Sequence, residues 1–211
     1  SNLLEEGLLV VNGDHTYALG LRLLHLASRA WAGNQFRTIA EPHLRRLHGA
    51  TGETVHLGVL RGTEVIYLDK VEGRQAVRMH SQIGNASPVY CTGVGKAALA
   101  ALAPERVADL ARRVEFRRYT PTTIMDPQAL VEEVARIRAA GIAFDREEHE
   151  PGIRCVAAPI GVPDGSFAAG ISVTAPAYRV KEADVESWTD LVRQAAGAIM
   201  EDMRVRLSPR G

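Results

Sequence analysis

The chain has 211 residues, 46% apolar and 24% charged, which is enough apolar surface for a packed core and too little polarity for a disordered chain. Its 25 Lys and Arg balance 25 Asp and Glu to a formal net charge of zero, which argues against a free-standing nucleic-acid binder, a class that carries a basic excess. No apolar run reaches the ~18 residues that span a bilayer, no secretory signal pattern opens the chain, and Cys91 and Cys155 are too few for a disulfide framework, so a cytoplasmic protein with free thiols is expected.

In chain order, Leu3–Leu9 reads as the last turn of a helix stopped by Gly7. A short hairpin follows, Leu8–Val10 and Thr16–Leu19, turning at Asn12-Gly13. Leu19–Ala32 is helical, with Leu21, Leu24, Leu26 and Ala27 apolar and Gly33 closing it; a second helix covers about Thr38–His48. Thr54–Leu60 and Val65–Val71 are strands of a hairpin, and Val77–Met79 is a candidate strand. Cys91-Thr-Gly-Val-Gly-Lys96 is a glycine-rich turn running into a helix through Leu102. Pro104 starts a helix to about Arg113. Asp126-Pro127 caps and opens the next, closed by Gly141. Ile142–Asp145 is a short strand. Ile153–Ile160 and Phe167–Ala175 form a hairpin, and Glu182–Met203 a final helix with Val185, Trp188, Val192, Ala195, Ile199 and Met203 at helical spacing. The pattern predicts an α+β domain with a mostly antiparallel sheet, preceded by a pair of helices.

The turn at Gly93 and Gly95 supports two readings of equal weight. It leaves first-turn amides pointing outward, suited to a small anion; equally, it lets a helix pack closely. It is not a nucleotide loop, because Tyr90 and Ala97 stand where that motif needs Gly and Ser or Thr. On the hairpin 153–160/167–175, a turn centred near Asp164 puts Cys155 on the same face as Ser172 and Thr174, unless a one-residue bulge at Gly165 reverses it. That face is a pocket floor or an ordinary half-buried strand. The acidic run Asp145–Glu150 reads as a solvated loop, with Asp145 its least generic member. A Cys155–His149 nucleophile pair lacks an orienting group in the spacing. Cys91, Cys155, His80 and His149 lack the ligand spacing of a metal site, so neither a metal nor another cofactor is expected.

Three segments, Ile83–Ala97, Gly141–Ile160 and Phe167–Pro176, resemble the IclR family of bacterial transcriptional regulators in order and spacing over nearly the whole chain. The resemblance implies a GAF/profilin-like effector domain over residues 34–211, with helices flanking the sheet. It implies a linker helix over 19–33, and the end of the recognition helix and the wing of a winged helix-turn-helix over 1–18. It implies a homodimer or homotetramer, with no membrane partner, that binds operator DNA through the full-length protein. Its effector would be a small keto, hydroxy or aromatic acid, and the chain would not be an enzyme. In family members with bound acids the ligand sits on the backbone at the positions of Gly93 and Val94. Side chains at Asp145, Cys155, Ser172 and Thr174 line the site, with apolar walls at Met79 and Ile153. Gly93 is often Ala in relatives, which implies a slightly wider pocket here. The competing expectation is a hydrolase or acyltransferase using Cys155.

Overall fold

The structure, a computed structural model, describes residues 2–74, 81–162 and 164–207. The chain divides into two compact units, Ser1–Thr38 and Ile39–Gly211.

The first unit contains α1 (Asn2–Glu5), a hairpin of β1 (Leu9–Val11) and β2 (Tyr17–Leu19), α2 (Leu21–Ala32) and the start of α3 (Gln35–Thr51). Gly7, at φ 64°, stops α1 as the sequence suggests. The hairpin pairs Leu9 with Leu19 and Val11 with Tyr17, but its connection is longer than an Asn-Gly turn. Asn12 N–H donates to Thr16 O at 2.8 Å, His15 rather than Gly13 takes the left-handed conformation, and Asp14 accepts from both the Thr16 amide and hydroxyl. Leu19 belongs to β2, so α2 begins at Leu21; no residue of α2 is buried.

The second unit carries β3 (Thr54–Arg61), β4 (Glu64–Val71), β5 (Ala86–Pro88), α4 (Gly93–Ala100), α5 (Pro104–Arg113), α6 (Pro127–Ala140), β6 (Ala143–Arg146), β7 (Ile153–Gly161), β8 (Ala168–Pro176), α7 (Glu182–Ser187) and α8 (Thr189–Leu207). Among the described residues its sheet has six strands in the order β5-β4-β3-β8-β7-β6, and every neighbouring pair is antiparallel. The β3–β8 pairing, between residues 54–59 and 169–174, joins the two hairpins seen in the sequence into one sheet. The candidate strand Val77–Met79 lies outside the described residues. The short edge strand β5, which pairs Ala86 with Ile66, is not among the strands expected from the sequence.

Local chemistry accounts for the helix ends. Asp126 caps α6 by accepting from the Gln128 and Ala129 amides, Pro127 takes the first helical position, and Gly141 closes it at φ 67°. α4 starts earlier than its alanine run suggests: Gly93 and Gly95 lie inside its first turn, with Thr92 as the cap. The final helix is two helices that break at Trp188. On α8 the buried positions are Val192, Ala196, Ile199 and Met203, while Ala195 is half-buried. α4 lies close on one face of the sheet because two strand glycines make room for it. A Cβ at Gly58 would stand 2.9 Å from Val94 Cγ2, and one at Gly170 would stand 2.7 Å from the Val94 carbonyl oxygen.

Candidate functional site

Seven of the residues named from the sequence line one cavity of about 300 Å³: Gly93, Val94, Asp145, Ile153, Cys155, Ser172 and Thr174. Met79 lies outside the described residues. The sheet register explains the convergence. Cys155 pairs with Thr174 on one side and with Asp145 on the other, while Thr174 pairs with Thr54. Directly opposed residues project to the same face, so Thr174, Cys155 and Asp145 form a row across three strands. The next row holds His56, Ser172 and Ala157. The turn at Gly165, at φ 67°, keeps odd positions of β7 opposite even positions of β8, without the bulge that would have reversed the face.

α4 brings its N-terminus onto this face. Thr92 Oγ1 accepts from the Gly95 amide at 3.2 Å and donates to Pro88 O at 2.7 Å, and the Lys96 amide donates to Thr92 O at 2.9 Å. The Gly93 and Val94 amides remain at the positive end of the helix, lining the cavity. Both glycines are also sterically required: a Cβ at Gly93 would lie 2.4 Å from Cys155 Sγ, and one at Gly95 would lie 2.6 Å from Val89 Cα. Close packing and a helix N-terminus that borders the cavity therefore occur together in the same turn. Here the Cys155 sulfur occupies the space that a Cβ at position 93 would take.

Several lining residues are not anticipated by the sequence. His56 is buried on β3; its Nε2 lies 2.7 Å from Ser81 Oγ and its Nδ1 lies 3.3 Å from Thr174 Oγ1. Burial, reinforced by the Lys70 charge, pushes its pKa down to about 3, so the ring is neutral at physiological pH. Tyr67, Ser81, Asn85, Ser87 and Tyr119 also line the cavity, as does His149, which the sequence singles out only as a partner for Cys155. The Tyr119 and His149 rings pack at 4.7 Å between centroids. The only sequence signal for His56 is a histidine inside an apolar strand; its partner strand β8 lies more than a hundred residues away. Ser172 is fully buried, and its hydroxyl finds no nitrogen or oxygen partner among the described residues; only the Cys155 thiol interacts with it, which leaves a weakly satisfied polar group on the cavity wall.

The carboxyl of Asp145 is pushed up to about 7, first by burial and further by the Glu148 charge; the Glu148 amide hydrogen bond, at 2.8 Å, and Lys96 act in the opposite direction. Cys155 is pushed up to about 12 by burial and by Asp145, an effect that the neighbouring Thr174 and Ser172 hydroxyls only partly offset. A cysteine nucleophile requires the reverse, a thiol depressed by a nearby cation or base, so the hydrolase reading has no chemical support here. Among the described residues no group of three or more His, Cys, Asp and Glu is arranged to hold a metal.

A domain family described as bacterial transcriptional regulator IclR, C-terminal, matches residues 29–201. The chain is 41% identical over 167 residues to the HTH-type transcriptional regulator BhcR of Paracoccus denitrificans strain Pd 1222, covering 79% of this chain and 60% of that protein. It therefore spans less than two thirds of that relative. Its fold matches the crystal structure of Thermotoga maritima IclR with a TM-score of 0.81 at 35% identity, covering 96% of this chain and 82% of the other. It also matches an IclR homolog from Microbacterium hydrocarbonoxydans complexed with 4-hydroxybenzoate, with a TM-score of 0.76 at 28% identity over 97% of this chain and 82% of that one.

Proposed function

The chain belongs to the IclR family of bacterial transcriptional regulators, and on that premise we propose that it is the effector-binding part of a ligand-responsive regulator. A small organic acid binds the 300 Å³ cavity and shifts the affinity for operator DNA of a winged helix-turn-helix head whose last elements are residues 1–18. Residues 19–33 act as the linker helix and residues 34–211 as the effector and oligomerisation domain. Such a shift requires the acid to bind one arrangement of the heads better than the other.

One observation carries the reading: the first-turn residues Gly93 and Val94 share a cavity with the Ser172 hydroxyl, which has no nitrogen or oxygen partner among the described residues. Two independent features, a helix N-terminus suited to a carboxylate and a hydroxyl with bonding capacity to spare, border the same space. Thr174, Cys155 and neutral His56 supply short polar contacts beside them, and Ile153 supplies an apolar wall. Asp145 meets the carboxylate as a neutral acid able to donate a proton, or accepts from a hydroxyl on the ligand. The bound 4-hydroxybenzoate of the Microbacterium homolog supports a small organic acid as the effector.

A thermal-shift screen of keto, hydroxy and aromatic acids tests the assignment. Ligand at about 100 times its dissociation constant adds ~2.7 kcal/mol, which for a chain of this size is a melting shift of roughly 5–11 °C. The shift should vanish in an Asp145→Ala, Ser172→Ala double variant. Best ligands that are uncharged, or undiminished binding by the double variant, would remove the site.

A further inference from the structure

Lys96 is the largest fully buried side chain among the described residues, at 1% exposure. Its Nζ lies 2.5 Å from Glu148 Oε1, 2.7 Å from Glu148 Oε2 and 3.5 Å from Glu133 Oε1. A buried ion pair generally contributes little net stability over an apolar replacement of the same volume, so stability alone does not account for it. Its location is more informative. Lys96 sits in α4, three positions after Gly93, and its partner Glu148 lies in the loop that follows Asp145 on β6. The same Glu148 donates its amide to Asp145 Oδ1 at 2.8 Å. Thr120 and Thr123 hold the Glu148 carbonyl oxygen from the other side, at 3.2 and 2.7 Å, and Glu133 extends the cluster to α6.

We infer that Lys96 is a positioning residue of the acid site: by clamping Glu148 it fixes the turn from which Asp145 faces the cavity, and the Lys96–Glu148 pair sets the charge that an incoming carboxylate meets. The inference rests on the acid-site reading above. The groups that shift Asp145 are Lys96 on α4, the Glu148 charge and amide, and the His149 amide in the adjoining loop; Cys155 on β7, Cys91 ahead of α4 and Tyr67 on β4 lie within reach of its charge and are raised by it. Lys96 is the cation among them. Removing the Glu148 charge alone leaves Lys96, still paired with Glu133, to favour the Asp145 carboxylate; removing both charges returns Asp145 to burial and its backbone hydrogen bonds.

The test is the titration of the Asp145 carboxyl, followed by carbon NMR in the unliganded protein, in wild type, Glu148→Gln and Lys96→Met/Glu148→Gln. Glutamine keeps an acceptor for Lys96, and the double variant leaves no buried charge unpaired, so both are expected to fold. The Asp145 midpoint should fall in Glu148→Gln and stand higher in the double variant than in Glu148→Gln by about one pH unit or more. Equal midpoints in the two variants would mean that Lys96 only fills space, and would overturn the inference while leaving the acid site standing. A protein that shows the midpoint difference but binds no acid in the thermal screen would instead remove the acid site.

Discussion

An alanine at position 93 would set its Cβ 2.4 Å from Cys155 Sγ, with Ala157 and Asp145 each 3.6 Å away, so the two side chains compete for one volume. Overpacking of this kind costs about 1–3 kcal/mol, and Gly93→Ala is expected to lower stability by that amount in urea denaturation. Cys155→Ala should relieve it: the double variant is expected to be more stable than the sum of the two single changes by about 1 kcal/mol or more, and strict additivity would count against the contact. Asp145 yields a second prediction. Its carboxyl is raised from 3.8 to about 7 in the folded protein, so folding favours the protonated form. The contribution of Asp145 to stability is therefore fully present below pH 4, falls as the unfolded carboxyl ionises between pH 4 and 7, and levels off above 7. Asp145→Asn removes that dependence and should gain about 2–4 kcal/mol relative to wild type at pH 8 compared with pH 4. Parallel pH profiles of the two proteins would refute the assignment. If Asp145 meets the ligand as a proton donor, acid binding loses affinity as the pH rises through 7; if it accepts from a ligand hydroxyl, hydroxy acids are preferred instead.

α4 holds the amide pair in place, and its cap is a single residue. Thr92→Ala removes the acceptor of the Gly95 amide and the donor to Pro88 O, and should cost about 1–2 kcal/mol. Thr92→Ser should restore most of it, measured as urea midpoints at constant slope. A serine variant as unstable as the alanine one would mean that the methyl group, not the hydroxyl, carries the effect. Elements with their own punctuation were legible in the sequence. α6 is bracketed by Asp126-Pro127 and Gly141, and the facing of the β7–β8 hairpin follows from its turn centre alone. Elements set by distant partners were not legible. β5 is three residues long and exists because β4 offers Glu64, Val65 and Ile66 to pair with. His56 enters the site through the β3–β8 ladder, which no local pattern encodes. The buried Lys96 looks like an ordinary helix cation, because nothing near it in sequence announces Glu148. The seven described site positions came from strand parity and the family resemblance together; parity alone left the Cys155 face as an ordinary strand.

Zero formal net charge leaves the whole chain with no electrostatic excess to hold a phosphate backbone, since non-specific affinity for DNA comes from cations that displace condensed counterions. In a gel shift at moderate salt this chain is expected to bind operator DNA weakly or not at all, and tight, sequence-specific binding would sink the assignment of residues 1–18. Its own surface points to a different partner. α2 is a twelve-residue helix without one buried residue, and a helix of that length is marginal in water unless an apolar face is covered. Leu21, Leu24 and Trp31 lie three and seven residues apart, on one stripe, at 83%, 69% and 36% exposure. A second copy of the chain would cover that stripe with the same apolar chemistry, as a two-fold interface does. Light scattering should therefore give at least twice the 22.9 kDa of one chain, and replacing Leu21 and Leu24 with Glu should lower the mass or weaken the association with dilution. A mass of one chain at high concentration would leave the stripe unexplained and defeat the prediction. An unchanged assembly in the double Glu variant would place the interface elsewhere on the molecule.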